Sequence, residues 1–171
     1  MKAVVDTNVL AYFLMGTRPF VDEATRFWHA IDGVLAPAVW EAELANVIWM
    51  AIRANVIAAE EGRKRLGLAA KLGIQSVPNR TLWHGALERA IQSGIPVYDT
   101  LFIELANREN LPLATFDAKV LAAFPQVAVR PRVLVPQHRT CLHCCLIPRD
   151  QQLSANGRAP RCTSCGSWAV A

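Results

Sequence analysis

Four acidic side chains stand at corresponding places along this sequence, next to short apolar segments. Asp6 directly follows a run of three apolar residues, and Asp117 follows a second apolar run. Glu43 flanks the apolar stripe of a predicted helix, and Asp99 stands at the start of another. Carboxylates that gather without a cation repel one another, whereas Mg²⁺ and Mn²⁺ bind carboxylate and water oxygens. If the fold brings the four together, the chemistry they favour is metal-assisted hydrolysis of a phosphodiester.

Each of these acids also has a purely structural interpretation. Asp6 and Asp99 are residue types that cap helices, and Asp117 can serve as a turn residue. Glu43 is harder to explain by structure alone, because it borders an otherwise apolar stripe. Four structural acids in corresponding places are less expected than one shared site, so we treat the set as a candidate catalytic cluster.

The elements that would hold these acids alternate along the chain. We predict short strands at 3–5, 34–36, 75–77, 111–115 and 127–129, most of them from apolar runs. Apolar periodicity predicts helices at 9–14, 19–31, 37–53, 58–72, 81–92, 99–110 and 118–124. Pro37 is the predicted start of its helix, and Asp99 is the predicted cap of its own. Strands that alternate with helices form a parallel sheet with helices on both faces, so the predicted class is α/β. The carboxyl ends of parallel strands share one edge of the sheet, where we expect the acids.

Composition separates the chain into two parts. The 171 residues are 53% hydrophobic, enough for a core, and no apolar run approaches the ~20 residues of a membrane span. Residues 1–136 carry 14 basic and 13 acidic side chains and no cysteine, whereas all five cysteines lie in the weakly basic remainder. We predict a domain over residues 1–135 and a linker and small module over 136–171, with Arg130-Pro131 already part of the linker. The N-terminus lacks the features of a signal peptide, so we expect a cytoplasmic protein without a membrane anchor.

Four blocks of the sequence together resemble a PIN domain, in the order and spacing of the VapC-type ribonuclease toxins of bacterial toxin–antitoxin pairs. The blocks are Val4–Leu10, Ala36–Asn46, Tyr98–Phe102 and Leu113–Asp117. The resemblance covers about residues 1–135 and implies a three-layer α/β/α fold with a mostly parallel five-stranded sheet. It also implies a Mg²⁺- or Mn²⁺-dependent endoribonuclease, a homodimer, and a small antitoxin that holds the enzyme inactive.

The same resemblance implies roles for individual residues. The family's acidic quartet corresponds to Asp6, Glu43, Asp99 and Asp117, and its polar helper positions correspond to Asn8 and Thr115. Of the acids, Asp6 and Asp99 are the expected direct metal ligands, and the other two would complete the shell through water or position the nucleophile. The implied reaction is in-line attack of water on an RNA phosphate, without a covalent enzyme intermediate. Glu41 is not included, because its position two residues before Glu43 puts it on another face of the helix.

The cysteines of the tail form two pairs with metal-ligand spacing. Cys141 and Cys144 make one CxxC pair, and Cys162 and Cys165 make a second after 17 intervening residues. In a cytoplasmic chain this pattern favours a tetrahedral structural Zn²⁺ site, and the tail resembles a zinc ribbon. Cys145 stands where such a turn usually has glycine, so either Cys144 or Cys145 can be the ligand. A disordered or redox-active tail is the alternative, and its basic residues suit RNA or partner binding and a solvated surface equally well.

Three functions stay open at this level. The first is an endoribonuclease toxin, and the second is a PIN–zinc-ribbon nuclease that processes RNA. The third is a catalytically silent module that binds RNA or a partner, which the complete acidic quartet disfavours. A phosphotransfer enzyme ranks last, because Asn8 occupies the position where its second acid is expected.

Overall fold

The computed structural model describes residues 1–135, and this part of the chain forms five strands and seven helices. The strands are β1 (Lys2–Val5), β2 (Gly33–Pro37), β3 (Gln75–Val77), β4 (Leu113–Ala114) and β5 (Ala128–Val129). The helices are α1 (Thr7–Met15), α2 (Val21–Ala30), α3 (Val39–Arg53), α4 (Ala59–Ala69), α5 (Trp83–Ser93), α6 (Val97–Glu109) and α7 (Ala118–Ala123). Two single turns of 3-10 helix, Asn79–Thr81 and Pro131–Val133, complete the described residues.

The five strands form one sheet in which every pairing is parallel. Their order across the sheet is β3-β2-β1-β4-β5. Three consecutive residues of β1, Ala3 to Val5, are buried, and so are residues 34–37 of β2. Consecutive strand residues point to opposite faces, so both faces of the sheet are covered by helices. The α/β class, the three layers and the five-stranded sheet predicted from the sequence are confirmed.

The strand order reverses between β1 and β4. From β1 the chain proceeds outward through β2 to β3, and then crosses back to β4 and β5. Open parallel sheets bind ligands outside the carboxyl ends of the strands at such a reversal. Asp6 follows the last residue of β1, and Thr115 follows the last residue of β4. The register that pairs Val5 with Ala114 therefore brings these two polar residues side by side.

Two helices bring the other acids to the same edge. Helix α3 follows β2 and buries Trp40, Leu44 and Ile48 against the core, which leaves Glu43 in its second turn close to the sheet edge. Helix α6 runs back across the sheet to reach the start of β4, so its first turn, with Asp99, lies at the carboxyl edge.

The starts of α3 and α6 differ from the sequence predictions. Pro37 ends β2 instead of starting α3, because it pairs with Val77 of the neighbouring strand. Helix α6 begins at Val97, and Pro96 takes the cap position with φ of −56° and ψ of 149°. Asp99 is therefore not the predicted cap; it lies inside the first turn, and its side chain is not needed to cap the helix.

The assignment of Arg130-Pro131 to a linker is wrong. Pro131 is buried, and the Arg130 guanidinium pairs with Glu23 of α2, with 2.7 Å between Nη2 and Oε2. These residues therefore belong to the domain. The sequence does not reveal this contact because its partners lie 107 positions apart.

Helix α5 carries an exposed apolar stripe. Trp83, Leu87 and Ile91 recur every fourth residue and are 55%, 47% and 70% exposed. Within residues 1–135, no helix combines the length and apolar character needed to cross a membrane.

Candidate active site

The four acids predicted as a cluster line one cleft of about 330 Å³ at the carboxyl edge of the sheet. They come from four different places: the residue before α1, the second turn of α3, the first turn of α6 and the residue before α7. The described residues that line the cleft are Asp6, Thr7, Asn8, Ala11, Tyr12, Met15, Thr17, Glu43, Val47, Asp99 and Asp117. None of these is Lys, Arg or His, so the lining supplies no cation to balance the carboxylates.

Asp6 is held by a short polar network that joins β1 to β4. Its Oδ1 accepts from the Asn8 backbone N–H at 3.1 Å, which caps α1. Its Oδ2 accepts from Asn8 Nδ2 at 2.7 Å and from Thr115 Oγ1 at 2.6 Å. Asn8 in turn accepts the Phe116 N–H on its Oδ1 at 3.1 Å. The two predicted helper residues therefore orient one acid between them.

Asp117 is oriented by the helix that it caps. Its Oδ1 accepts from the N–H groups of Lys119 at 2.7 Å and Val120 at 3.2 Å. Its own N–H donates to Thr115 Oγ1 at 3.0 Å, which ties it to the Asp6 network. Asp117 can cap α7 and also line the cleft, because hydrogen bonds within residues 1–135 engage only one of its two carboxylate oxygens.

Glu43 is oriented by a residue absent from the sequence-based site. Thr7 is 6% exposed, and its Oγ1 donates to Glu43 Oε2 at 2.5 Å. This bond joins the first residue of α1 to α3 across 36 positions of sequence. No periodicity or spacing relates positions 7 and 43, so only the position of Thr7 beside Asp6 could have drawn attention to it.

Asp99 differs from the other acids in its surroundings. Within residues 1–135 no hydrogen-bond donor contacts its carboxylate, although it is half-buried and lines the cleft. Burial, and after it the negative charges of Asp117 and Glu43, together raise the pKa of Asp99 to about 6. Its oxygens are thus available to a cation from solution.

Asp6 and Glu43 also hold protons more tightly than usual. Burial raises the pKa of Asp6 to about 6, although hydrogen bonds from Thr115 and the Asn8 amide act in the opposite direction. Burial likewise raises the pKa of Glu43, against the hydrogen bond from Thr7. These shifts indicate a group of acids whose ionised forms lack sufficient compensation from the protein.

The donor chemistry of the cleft fits a hard divalent cation. Carboxylate oxygens that lack a neighbouring cation are the ligands such ions prefer. Within residues 1–135, no three His, Cys, Asp or Glu side chains already surround a single point as metal ligands. The arrangement suits an ion that takes one or two carboxylates directly and keeps several waters, as Mg²⁺ commonly does.

Glu41 is a neighbouring acid that the structure places outside this cleft. Glu41 points away from it and accepts a hydrogen bond from Ser76 Oγ at 2.7 Å, in agreement with the separate helix face expected for it. The proposed zinc ligands Cys141, Cys144, Cys162 and Cys165, and the alternative Cys145, lie outside the described residues.

Comparison with known proteins gives a family and a set of similar folds. The family model described as the PIN domain matches residues 3–128. The structure is similar to a toxin–antitoxin complex from Klebsiella pneumoniae, with a TM-score of 0.55 and 21% identity over 75% of this chain and 97% of that chain. It is also similar to VapBC2 from Rickettsia felis bound to a promoter DNA fragment, with a TM-score of 0.54 and 14% identity over 76% of this chain and 98% of that one.

A third similar structure is FitAcB from Neisseria gonorrhoeae, with a TM-score of 0.55 and 19% identity over 77% of this chain and 98% of that chain. No curated protein sequence matches. At these identities the similar structures support the fold, whereas the family match covers most of the sequence. The chain belongs to the PIN-domain family.

Proposed function

We propose that this chain is a divalent-metal-dependent endoribonuclease and the toxin of a toxin–antitoxin pair. One observation carries the proposal: four carboxylates from four elements line one cleft in which no described lining residue is basic. Such a cluster is costly to keep ionised without a counter-ion, and protein folds rarely retain that cost without a use. Membership of the PIN-domain family is consistent with nuclease chemistry.

Asp6 and Asp99 are the acids that we propose would bind Mg²⁺ or Mn²⁺ directly. Asp6 is held rigidly by Asn8 and Thr115, and Asp99 has a carboxylate without a donor within residues 1–135. When bound, the ion would supply positive charge for the phosphate and make a water molecule more acidic.

The other two acids would act from fixed positions around that pair. Asp117 has one oxygen engaged by backbone N–H groups and can accept a hydrogen bond from water on the other. Glu43 is oriented by Thr7 at the side of the cleft formed by α3. A carboxylate so placed can hold the attacking water and accept its proton as the phosphodiester bond breaks.

The catalytic proposal is tested with the purified full-length chain and labelled single-stranded RNA. We expect cleavage with Mg²⁺ or Mn²⁺ and none with EDTA. Asp6→Asn and Glu43→Gln should each reduce the rate by at least about 100-fold while leaving the circular dichroism spectrum unchanged. Glu41→Gln is the matched control, because Glu41 lies on the same helix outside the cleft. Equal activity of Glu43→Gln and Glu41→Gln would exclude the proposed role of the cluster.

The toxin role is tested in cells. The solved structures similar to this fold include a toxin–antitoxin complex, which supports an antitoxin partner for this chain. We propose that the two proteins meet in the cytoplasm. Induction of the wild-type chain should arrest growth, Asp6→Asn should not, and a small protein encoded immediately upstream should restore growth. Metal-dependent cleavage without growth arrest would instead favour the RNA-processing alternative. An intact fold without any cleavage would favour the binding module.

We also propose a homodimer, as the family resemblance implies. The exposed stripe on α5 offers Trp83, Leu87 and Ile91 as an apolar surface that a second copy can cover in a symmetric contact. Light scattering should give twice the chain mass, and Ile91→Glu should give a monomer with an unchanged fold. A monomeric wild type would exclude this assembly.

For the tail we propose a structural Zn²⁺ bound by Cys141, Cys162, Cys165 and either Cys144 or Cys145. Elemental analysis of the full-length chain should give one zinc per chain, since four thiolates close a tetrahedral site. Serine substitution of Cys144 and Cys145 in turn should identify the ligand, because only one of the two variants should lose zinc. A zinc-free wild-type chain purified under reducing conditions would exclude the site.

A further inference from the structure

We infer that Thr7 is a positioning residue of the proposed nuclease site, acting through Glu43. The inference rests on the function proposed above and adds to it a residue that neither the acidic quartet nor its two polar helpers includes. Thr7 is 6% exposed and lines the cleft, and its hydroxyl donates a hydrogen bond to Glu43 Oε2, with 2.5 Å between the two oxygens.

The geometry of α1 explains why this residue can hold that acid. Asp6 caps the helix and turns its carboxylate back onto the Asn8 N–H, so Thr7 is the first residue of α1. The side chains of Thr7 and Asn8 then serve different acids: the first reaches Glu43 on α3, and the second reaches Asp6 beside β4. One helix terminus thereby fixes the distance between two carboxylates from separate elements.

A threonine suits this task better than a freely rotating side chain. Its β-branch restricts rotation about χ1, and burial among the cleft residues restricts it further. A hydroxyl hydrogen bond to a carboxylate is short and strong, and it leaves Glu43 Oε1 for water, metal or substrate. Residues that orient ligands in this way commonly change metal affinity or activity by about 10- to 100-fold when they are removed.

The test compares substitutions that differ in a single hydroxyl. Thr7→Val keeps the shape and removes the donor, whereas Thr7→Ser keeps the donor. We expect Thr7→Val to weaken Mn²⁺ binding in calorimetry and to lower single-turnover cleavage, each by about 10- to 100-fold, and Thr7→Ser to restore both to within about threefold of wild type. Thr81→Val is the matched control, because the exposed Thr81 lies outside the cleft and its hydroxyl donates to the Pro78 carbonyl.

A double-variant cycle separates action through Glu43 from general loosening of the cleft. In a Glu43→Gln background, Thr7→Val should add little further loss of Mn²⁺ affinity, because the acceptor has already been changed. Independent, additive losses would overturn the inference, and so would equal behaviour of Thr7→Val and Thr7→Ser.

Further variants and the binding measurements distinguish misfolding from loss of function. If Thr7→Val does not fold, Thr7→Ala and Thr7→Ser form a second pair that differs by one oxygen atom. If the wild-type chain binds Mn²⁺ but cuts no RNA, the binding measurements still decide the role of Thr7, and the nuclease proposal alone fails. If the wild-type chain binds no Mn²⁺, the inference is overturned together with the metal site.

Discussion

At the scale of single residues, Asn8 is the residue that does most to hold the polar groups of the cleft in place. It takes part in four hydrogen bonds, to both Asp6 oxygens, to Thr115 and to the Phe116 N–H. We expect Asn8→Ala to lower cleavage by about 10- to 100-fold and to cost about 1–3 kcal/mol of stability, because it leaves a backbone N–H without its acceptor.

Urea unfolding and single-turnover cleavage measure the two effects of Asn8→Ala. The same substitution at Asn107, near the far end of α6, removes only a bond to the carbonyl of its own helix. Asn107→Ala should therefore leave the cleavage rate unchanged. Equal rates for wild type and Asn8→Ala would contradict the positioning role of Asn8.

The half-buried Asp99 predicts a dependence of stability on pH. Burial, followed by repulsion from Asp117 and Glu43, raises its pKa from 3.8 to about 6. The folded chain therefore binds this proton more tightly than the unfolded chain. The resulting stability is fully present below about pH 4 and is lost as the pH rises through about 6.

Asp99→Asn replaces the carboxyl group by a neutral amide and should remove this loss of folding stability at higher pH. Without metal, Asp99→Asn should melt a few degrees above wild type at about pH 7.5 and at nearly the same temperature at about pH 4. The exposed Glu88 provides a control, and Glu88→Gln should match wild type at both pH values. Added Mn²⁺ should raise the wild-type melting temperature more than that of Asp99→Asn. A wild type that melts no lower than Asp99→Asn at about pH 7.5 would contradict the shift.

The sequence identified the acids better than it identified what holds them. Asp6 directly follows β1 and Asp117 comes three residues after β4, so both could be placed because a parallel sheet brings such positions to one edge. Thr7 could not be linked to Glu43, because a hydrogen bond across 36 positions leaves no periodic trace. Residue type predicts that a side chain can donate, but only the packing of two helices determines to which acceptor.

At the scale of elements, the contact between α5 and α6 depends on a glycine. A Cβ atom added at Gly85 would lie 2.3 Å from the Glu104 carboxyl carbon. That carboxylate cannot move aside easily, because it is buried and held by Arg89 at 2.9 Å and Arg108 at 2.6 Å. Helix α5 can thus approach α6 closely only without a side chain at this position.

Alanine substitution at two different glycines should change the folding stability in opposite directions, which tests this packing. Gly85→Ala should destabilise the fold by about 1–3 kcal/mol through overpacking. Gly67→Ala, at an exposed position of α4 with no atom within 4 Å of an added Cβ, should instead stabilise it by up to about 1 kcal/mol. Urea unfolding of both variants measures the difference, and a stabilising Gly85→Ala would contradict the described contact.

Helix interiors were predictable where helix ends were not. The stripe of Trp40, Leu44 and Ile48 follows helical periodicity, so the body of α3 could be placed from sequence. Its start could not, because Pro37 is drawn into the sheet by pairing with Val77. The cap assigned to Asp99 failed for a similar reason, since Pro96 already sets the direction in which α6 begins.

At the scale of the whole molecule, the order of the strands explains why the cleft lies where it does. β1 is central, and the chain leaves it in one direction and returns on the other side to form β4. Periodicity predicts parallel strands but not which of them are neighbours. The contact that ties Arg130 to the domain was also unpredictable, because its partner is a glutamate 107 positions earlier in the chain.

The ion pair between Arg130 and Glu23 gives a prediction for the stability of the whole molecule. Arg130 donates two hydrogen bonds to Glu23, at 2.7 and 3.2 Å, and its guanidinium lies 4.6 Å from the centre of the Phe116 ring. The Glu23 side chain is only 12% exposed, so Arg130→Ala should cost about 1–3 kcal/mol in urea unfolding. Arg63→Ala removes a pair whose partners are 74% and 68% exposed and should cost about 0.5 kcal/mol or less.

The same contact should weaken in acid. Burial alone would raise the pKa of Glu23, but the hydrogen bonds from Arg130 and the Arg132 N–H outweigh it and hold the pKa below 4.5. The stability from this carboxylate is therefore present above about pH 4.5 and is lost as the pH falls through the lower folded-state pKa. The difference between wild type and Arg130→Ala should narrow over that range. Equal costs for Arg130→Ala and Arg63→Ala near neutral pH would show that the pair does not fasten the end of the domain to α2.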